Sequence, residues 1–383
     1  MLSPLSNYAE YSSAKIAVEQ LDLQHYFSTE NMLPNKGGVS EATTLPTQAY
    51  VTKALPENVL ISNIRPYFKK IHFVKEIAGT SNDVLCFVAK NGCLPHYLYY
   101  LLSSDSFFDY VMAGAKGTKM PRGDKGQIMD YPVWIPECNI QQKIVSILSS
   151  IDDKIELNAQ INHNLEEQAK AIFDDMFINS KLKSEWQEGT IADLGKVVGG
   201  STPSKAKQEY YTSAGVAWIT PKDLSVNKSK FISKGELDIT QLGVKNSSVV
   251  IMPRGTVLFS SRAPIGYIAI AKNAITTNQG FKSIVPYPHI GTEFVYCFLK
   301  HNLPQIESMA SGSTFKEVSG SVMKAIPATI PDSKTLLNFS DKTRPLFEQQ
   351  ELLETESQKL AQLRDTLLPK LMSGGIDVSE VEV

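Results

Sequence analysis

Residues 114–136, GAKGTKMPRGDKGQIMDYPVWIP, align without a gap to residues 309–331, MASGSTFKEVSGSVMKAIPATIP, placing Gly117 on Gly312, Pro132 on Pro327 and Pro136 on Pro331. Further matches keep the same order on the N-terminal side. PENVLISNIRP at 56–66 pairs with PRGTVLFSSRAP at 253–264, TSNDVLCFV at 80–88 with TTNQGFKSIV at 276–285, and HYLYYLL at 96–102 with EFVYCFL at 293–299. A repeat this long is a duplicated domain rather than a solenoid unit. The length of 383 residues also favours two domains over one core.

The repeat continues into two long helical segments. In the first, Ile144, Leu148, Ile151, Ile155, Asn158, Asn162, Leu165, Ala169, Ile172 and Met176 recur at alternating spacings of four and three. Their counterparts are Phe339, Thr343, Leu346, Gln350, Leu353, Ser357, Leu360, Arg364, Leu367 and Leu371. A heptad stripe sustained this far needs a partner helix, and the second copy supplies one within the chain. Asn158 and Asn162 facing Gln350 or Ser357 would fix register at some cost in stability. Pro136, Asn139 and Gln142 predict a capping box at the start of the first helix, Pro345 a kink or restart in the second, and SGG at 373–375 its end. About 36 residues of helix span about 54 Å, so the helices would act as a strut whose length sets the spacing of two reading heads.

Composition narrows the class. At 42% hydrophobic and 20% charged the chain is globular, and its four scattered cysteines suggest neither a zinc module nor a disulfide framework. The first residues, MLSPLSNYAEYSSAK, lack the pattern of a signal peptide, and no long apolar run occurs, so a cytoplasmic location is expected. The net charge of -2 hides a patterned distribution: residues 181–330 carry 17 Lys+Arg against 10 Asp+Glu, whereas 137–180 carry 3 against 8. The basic block suits nucleic acid and the acidic helices suit protein contact. Phosphate-loop, HExxH, GxSxG and GxGxxG patterns are absent, as is the Asn-Pro-Pro-aromatic loop of an adenine methyltransferase, and the six histidines do not cluster.

GKVVGGSTPSKAKQEYYTSAGVAWITPKDLS at 195–225, followed by VLFSSRAPIGYIAI, TTNQGF, a Gly-Ser/Thr loop and a paired Ile-Pro exit into a helix ending LRDTLLPKLMSGGI, resembles the specificity (S) subunit of type I restriction-modification systems. The resemblance runs over essentially the full length, but residues 1–25 contain no equivalent of LGKVVGGSTPS. It implies a non-catalytic adaptor that recognises a bipartite, asymmetric DNA site and directs methyltransferase and restriction subunits to it. Two methyltransferase (M) subunits would be held by the helices, and restriction (R) subunits are possible further partners. S-adenosylmethionine would bind on the methyltransferase partner, with no cofactor or metal in this chain. A standalone coiled-coil DNA-binding regulator or scaffold is the alternative, and a degenerate methyltransferase is disfavoured by the missing catalytic loop.

The expected fold is α+β: two similar target recognition domains, 1–136 and 181–331, separated by long antiparallel coiled-coil helices at 137–180 and 332–375, with an internal pseudo-twofold and a C-terminal tail at 376–383. Candidate DNA contacts follow from residue chemistry. Lys116, Lys119, Arg122 and Lys125 lie in a glycine-rich loop, with Ser311, Ser313, Thr314 and Lys316 in its counterpart. Ser260, Ser261 and Arg262 end a strand, and Asn278 and Gln279 occupy a Thr-rich turn. Arg pairs bidentately with guanine, and Asn or Gln with adenine, although most protein–DNA hydrogen bonds go to the backbone. Ser28, Thr29 and Asn31 in STENM, and Thr220 and Lys222 in TPKDL, either cap turns or line the groove-facing edge.

Overall fold

The computed structural model describes residues 2–312 and 316–381 and divides into two compact units, residues 1–155 with 359–383, and residues 156–358. In the first unit an antiparallel inner sheet orders Ala9–Tyr11, Val84–Ala89, Val59–Ser62 and Ile71–Phe73. Its central strands are apolar but for the terminal Ser62, because both faces are covered. Val59, Ile61, Leu85 and Phe87 turn toward Tyr97, Leu98 and Leu101 of the helix Pro95–Ser103. The alternate residues Leu60, Val84 and Cys86 turn toward Phe27, Met32 and Ala78 on the other side. This is the period-2 alternation of a strand read on two apolar faces.

The second unit repeats the plan. Its inner sheet orders Gly195–Gly199, Lys282–Pro286, Val257–Phe259, Ile268–Ala271 and Phe231–Ile232, the last strand adding in parallel. Val257 and Phe259 pack toward Phe294 and Val295 of the helix Thr292–His301, and Leu258 packs toward Ile219 and Ile275. The strand Ala9–Tyr11 pairs antiparallel with Val84–Ala89, as Gly195–Gly199 does with Lys282–Pro286. The first unit therefore does contain a counterpart of the GKVVG strand. Its residues differ while its backbone pairing is kept.

Each unit also has an outer sheet of four strands. In the first the order is Lys15–Ala17, Tyr50–Ala54, Ala78–Thr80, Tyr26–Phe27, and in the second Tyr211–Thr212, Leu237–Ile239, Val216–Ile219, Ile275–Thr277. One feature is common to both: the last two strands of each order run parallel, with Phe27 beside Thr80 and Ile219 beside Thr277.

The two long helices are Cys138–Phe173, continued by one π turn to Ile178, and Ser333–Met372. Both contribute a segment to each unit. Ile144 and Leu148 join Leu368, Leu371 and Met372 in the first unit's core, and Ala169 and Phe173 join Leu336, Phe339 and Phe347 in the second's. Rising residue numbers on one helix meet falling numbers on the other, so the pair is antiparallel. Asn158 donates to Ser357 Oγ at 3.2 Å and Glu356 Oε2 at 2.7 Å, and Gln350 donates to the Asn162 carbonyl at 3.1 Å. Of the seam residues, Ile151, Asn158 and Leu353 are buried; Ile155, Asn162, Leu165, Ile172, Leu346, Leu360 and Leu367 are half-buried.

Two local expectations are corrected and a third holds. The first helix begins at Cys138, inside which Asn139 cannot act as N-cap, and no capping box with Gln142 forms among the described residues. Gln141 is the anchored residue instead, accepting from Leu94 N at 2.8 Å and donating to the carbonyls of Gly92 and Pro136. The second helix does not restart at Pro345, which is exposed on a continuous helix. It ends as SGG suggests: Gly374 has a φ of 71° and Gly375 N bonds the Lys370 carbonyl at 2.8 Å, the six-to-one bond that satisfies an orphan carbonyl.

Candidate nucleic-acid interface

Because two parallel strands point the same way, the loops that follow them emerge at the same end of the sheet. In the first unit these loops are STENM after Tyr26–Phe27 and SND after Ala78–Thr80, and in the second TPKDL after Val216–Ile219 and NQG after Ile275–Thr277. Matching hydrogen bonds tie each loop pair: Ser81 N to the Phe27 carbonyl at 2.9 Å, and Asn278 N to the Ile219 carbonyl at 3.0 Å. Each pair opens a polar cleft. The first, about 360 Å³, is lined by Ser28, Thr29, Glu30, Asn31, Thr43, Thr44, Ser81 and Asp83. The second, about 530 Å³, is lined by Thr202, Lys205, Gln208, Trp218, Thr220, Lys222, Asn278 and Gln279.

Several candidates prove to be architectural. Asn31 is buried, accepting from Ser28 N at 2.7 Å and donating to the Tyr26 and Ser40 carbonyls at 2.9 Å each. Ser260 and Ser261 are fully buried; their hydroxyls donate to the carbonyls of Pro264 at 2.9 Å and Gly280 at 3.2 Å. Burial commits these three side chains to hydrogen bonds within the fold, although Asn31 still borders the first cleft. Thr220 forms a true capping box with Asp223 on the helix Pro221–Val226, so its hydroxyl serves the turn. Ser28 Oγ lies on the Asn31 amide at 3.2 Å, while Thr29 lines the cleft.

The glycine-rich loop is a small hairpin closed by reciprocal bonds between Lys116 and Arg122 at 2.9 Å, and its counterpart is closed between Ser311 and Glu317. Arg122 reaches Asp83 on the cleft rim at 2.8 Å, so the hairpin borders the first cleft. Lys116 pairs with Asp124 at 2.6 Å, and that hydrogen bond holds the lysine pKa above its ordinary value. Lys119 and Lys125 are exposed, without an ion-pair partner among the described residues. In the second unit Arg262 binds Glu317 at 3.0 Å, as does Lys282 at 3.3 Å. Burial works against the Glu317 carboxylate, but these two cations outweigh it and hold its pKa below the ordinary range. Lys316 is exposed; Ser313 and Thr314 lie outside the described residues. Lys222 is paired with Glu236 at 2.6 Å, a bond that raises its pKa.

Residue chemistry alone did not single out Thr202, Lys205, Gln208 or Trp218. The available signal was the polar, lysine-containing stretch STPSKAKQEYY, which enters the second cleft ahead of the strand that carries Trp218.

Two units that each present a polar cleft at the ends of one parallel strand pair define a duplicated binding protein. Residues 24–167 and 183–360 match the family model described as the type I restriction modification DNA specificity domain. The chain belongs to this family, and it is a non-catalytic DNA sequence-recognition subunit. It is similar to the type I restriction enzyme MjaIX specificity subunit of Methanocaldococcus jannaschii, 41% identical over 183 residues, an alignment spanning 45% of this chain and 42% of that protein. It is also similar to the HindI specificity subunit of Haemophilus influenzae, 25% identical with 97% of this chain and 100% of that protein covered. The crystal structure of a type I restriction-modification S subunit from M. genitalium shares the fold with a TM-score of 0.61, at 14% identity and 97% and 96% coverage. No described helix is long and apolar enough to cross a membrane.

Proposed function

We propose that the chain reads a bipartite, asymmetric DNA site, one part with each cleft, and carries methyltransferase and restriction subunits to it. The observation that supports this reading is the recurrence, in two units of divergent sequence, of the same parallel strand pair feeding two polar loops into a cleft. Lys205 and Lys222 in the second cleft and Arg122 beside the first suit phosphate contact, and hydroxyl and amide side chains in the clefts suit base edges. Different linings give different half-sites, which is why the site is asymmetric. Methyl transfer belongs to partner subunits that bind S-adenosylmethionine, two of them per chain in this proposal, matching the two repeats of the helical segment.

Co-expression with the methyltransferase subunit, followed by mapping of methylated positions in the host genome, tests the reading. The expected result is one motif of two parts with a fixed gap, and a purified complex holding two methyltransferase subunits per chain. A regulator or scaffold would purify without a methyltransferase and leave the genome's methylation unchanged.

A further inference from the structure

The polar groups lining the second cleft differ in whether they are already engaged. Lys222 is paired with Glu236, Thr220 with Asp223, and the Trp218 indole N–H donates to the Ser201 carbonyl at 3.0 Å. Asn278 is half-buried, with its Oδ1 accepting from Gly280 N at 2.9 Å. Lys205 and Gln208 are exposed in the cleft, with no side-chain hydrogen bond among the described residues. Gln279 is different. It is exposed at the cleft, its Oε1 accepts the Thr202 hydroxyl, and its Nε2 has no partner among the described residues.

In that arrangement the Thr202 hydroxyl is the donor and the Gln279 side-chain oxygen the acceptor. With the hydroxyl on Oε1, one lone pair of that oxygen and both N–H groups of Nε2 remain available. An acceptor beside a donor in one plane is the complement of adenine in the major groove, where N6 donates and N7 accepts. A guanine edge, which offers O6 and N7, both acceptors, would leave Oε1 facing another lone pair. The loop that carries Thr202 is itself held against the Gln279 turn. Ser201 N bonds the Thr277 carbonyl at 2.9 Å, and a Cβ on Gly200 would stand 1.9 Å from the Asn278 carbonyl oxygen, so only glycine permits this approach. A reader held by a second side chain loses less freedom on binding than a loose one.

We propose that Gln279, oriented by Thr202, is the specificity-determining residue for an adenine in the half-site read by the second unit. This inference rests on the DNA-reading function proposed above. Gln279 touches the base; Thr202 is a positioning residue that acts through it.

The test selects bound sequences from a library of DNA duplexes with a randomised central segment, using the full chain in complex with its methyltransferase subunits. Gln279→Ala is expected to relax one adenine position by on the order of 10- to 100-fold. Gln279→Glu, which only accepts, is expected to shift that position toward cytosine, whose N4 amino group donates. Thr202→Val should weaken discrimination at the same position by a smaller factor, leaving all other positions alone. The half-site read by the first unit stays unchanged in every variant and reports that the chain is folded. An unchanged motif in Gln279→Ala, a uniform loss of binding across all sequences, or relaxation at a position other than adenine overturns the assignment while the two-part motif stands. A wild-type complex that selects no two-part motif overturns the functional reading, and this assignment with it.

Discussion

The first and second units share four inner-sheet strands, to which the second adds Phe231–Ile232, and build different outer sheets. In the first, the antiparallel strand Tyr50–Ala54 joins the parallel pair through Ala78–Thr80; in the second, Leu237–Ile239 joins it through Val216–Ile219. The added strand has changed sides, yet the parallel pair and the cleft at its end remain. The difference separates what the reading head requires from what it tolerates. Two parallel strands deliver two loops to one place, and the rest of the sheet only has to cover the inner one. The linings then diverge: Glu30, Glu41 and Asp83 in the first cleft, Lys205, Gln208, Asn278 and Gln279 in the second.

The units also differ in how they are tied to the long helices, and this difference gives the largest expected effect. In the second unit Lys230 is buried, with its Nζ 2.8 Å from both Glu166 Oε2 and Gln350 Oε1 and 3.2 Å from the centre of the Phe347 ring. Burial pushes the Lys230 pKa down against the pull of Glu166, and Glu354 accepts the backbone N–H groups of Lys230 and Phe231 at 2.8 and 3.0 Å. Lys230→Met removes the cation and leaves the Glu166 carboxylate unpaired, which should destabilise the second unit by about 3–5 kcal/mol. Hydrogen exchange should show lost protection in Phe231–Ile232 and Ile268–Ala271, with Val59–Ser62 and Val84–Ala89 unaffected. Adding Glu166→Gln to Lys230→Met should recover much of the loss; a double variant no better than the single would show that Lys230 acts through packing rather than charge.

A smaller effect separates the units by pH. In the first unit His72 lies beside the Phe27 ring, and burial, with a lesser push from Lys75, lowers its pKa from 6.5 to about 4. It is paired across the sheet with Leu60, whereas the matching residue of the second unit, paired with Leu258, is Ala269. The folded unit holds this imidazole neutral, so below pH 6.5 the unfolded chain takes up a proton that the folded one refuses. The stability this group contributes is complete above pH 6.5 and is lost as pH falls toward 4, by about 3 kcal/mol over the window. Unfolding of the first unit measured across that range should flatten in His72→Leu, and the second unit should lack this component in both proteins.

What the sequence made legible follows from which physical signals are local. The heptad stripe and the collinear motifs announced a duplication and an antiparallel helix pair, because apolar periodicity is written directly in residue spacing. The family resemblance carried the function. Side-chain roles were less accessible: Ser260 and Ser261 follow an apolar run and read as a polar strand end, yet the chain folds back over them through Gly280 and Val318. Nothing near them in sequence announces that cover. Thr202 and Gln279 illustrate the reverse case, since they lie 77 positions apart and meet only because the chain leaving Gly195–Gly199 bonds back to Thr277 through Ser201 N. Lys230 was invisible for the same reason, its partners lying on both long helices.

The smallest effect tests whether the two clefts share one foundation. Thr80 and Thr277 are buried at matching ends of the parallel pairs, and neither hydroxyl has a hydrogen-bond partner among the described residues. A buried hydroxyl left unpaired carries a desolvation cost of about 1–3 kcal/mol, whereas an apolar side chain of the same shape carries none. Valine is that shape and keeps the β-branch that suits a strand. Thr80→Val and Thr277→Val should therefore each stabilise their own unit by up to about 1 kcal/mol, with the same sign in both, measured as the shift in denaturant midpoint. Opposite signs would mean that one of the two hydroxyls is bonded in solution, and that the clefts, alike in backbone, are built on different floors.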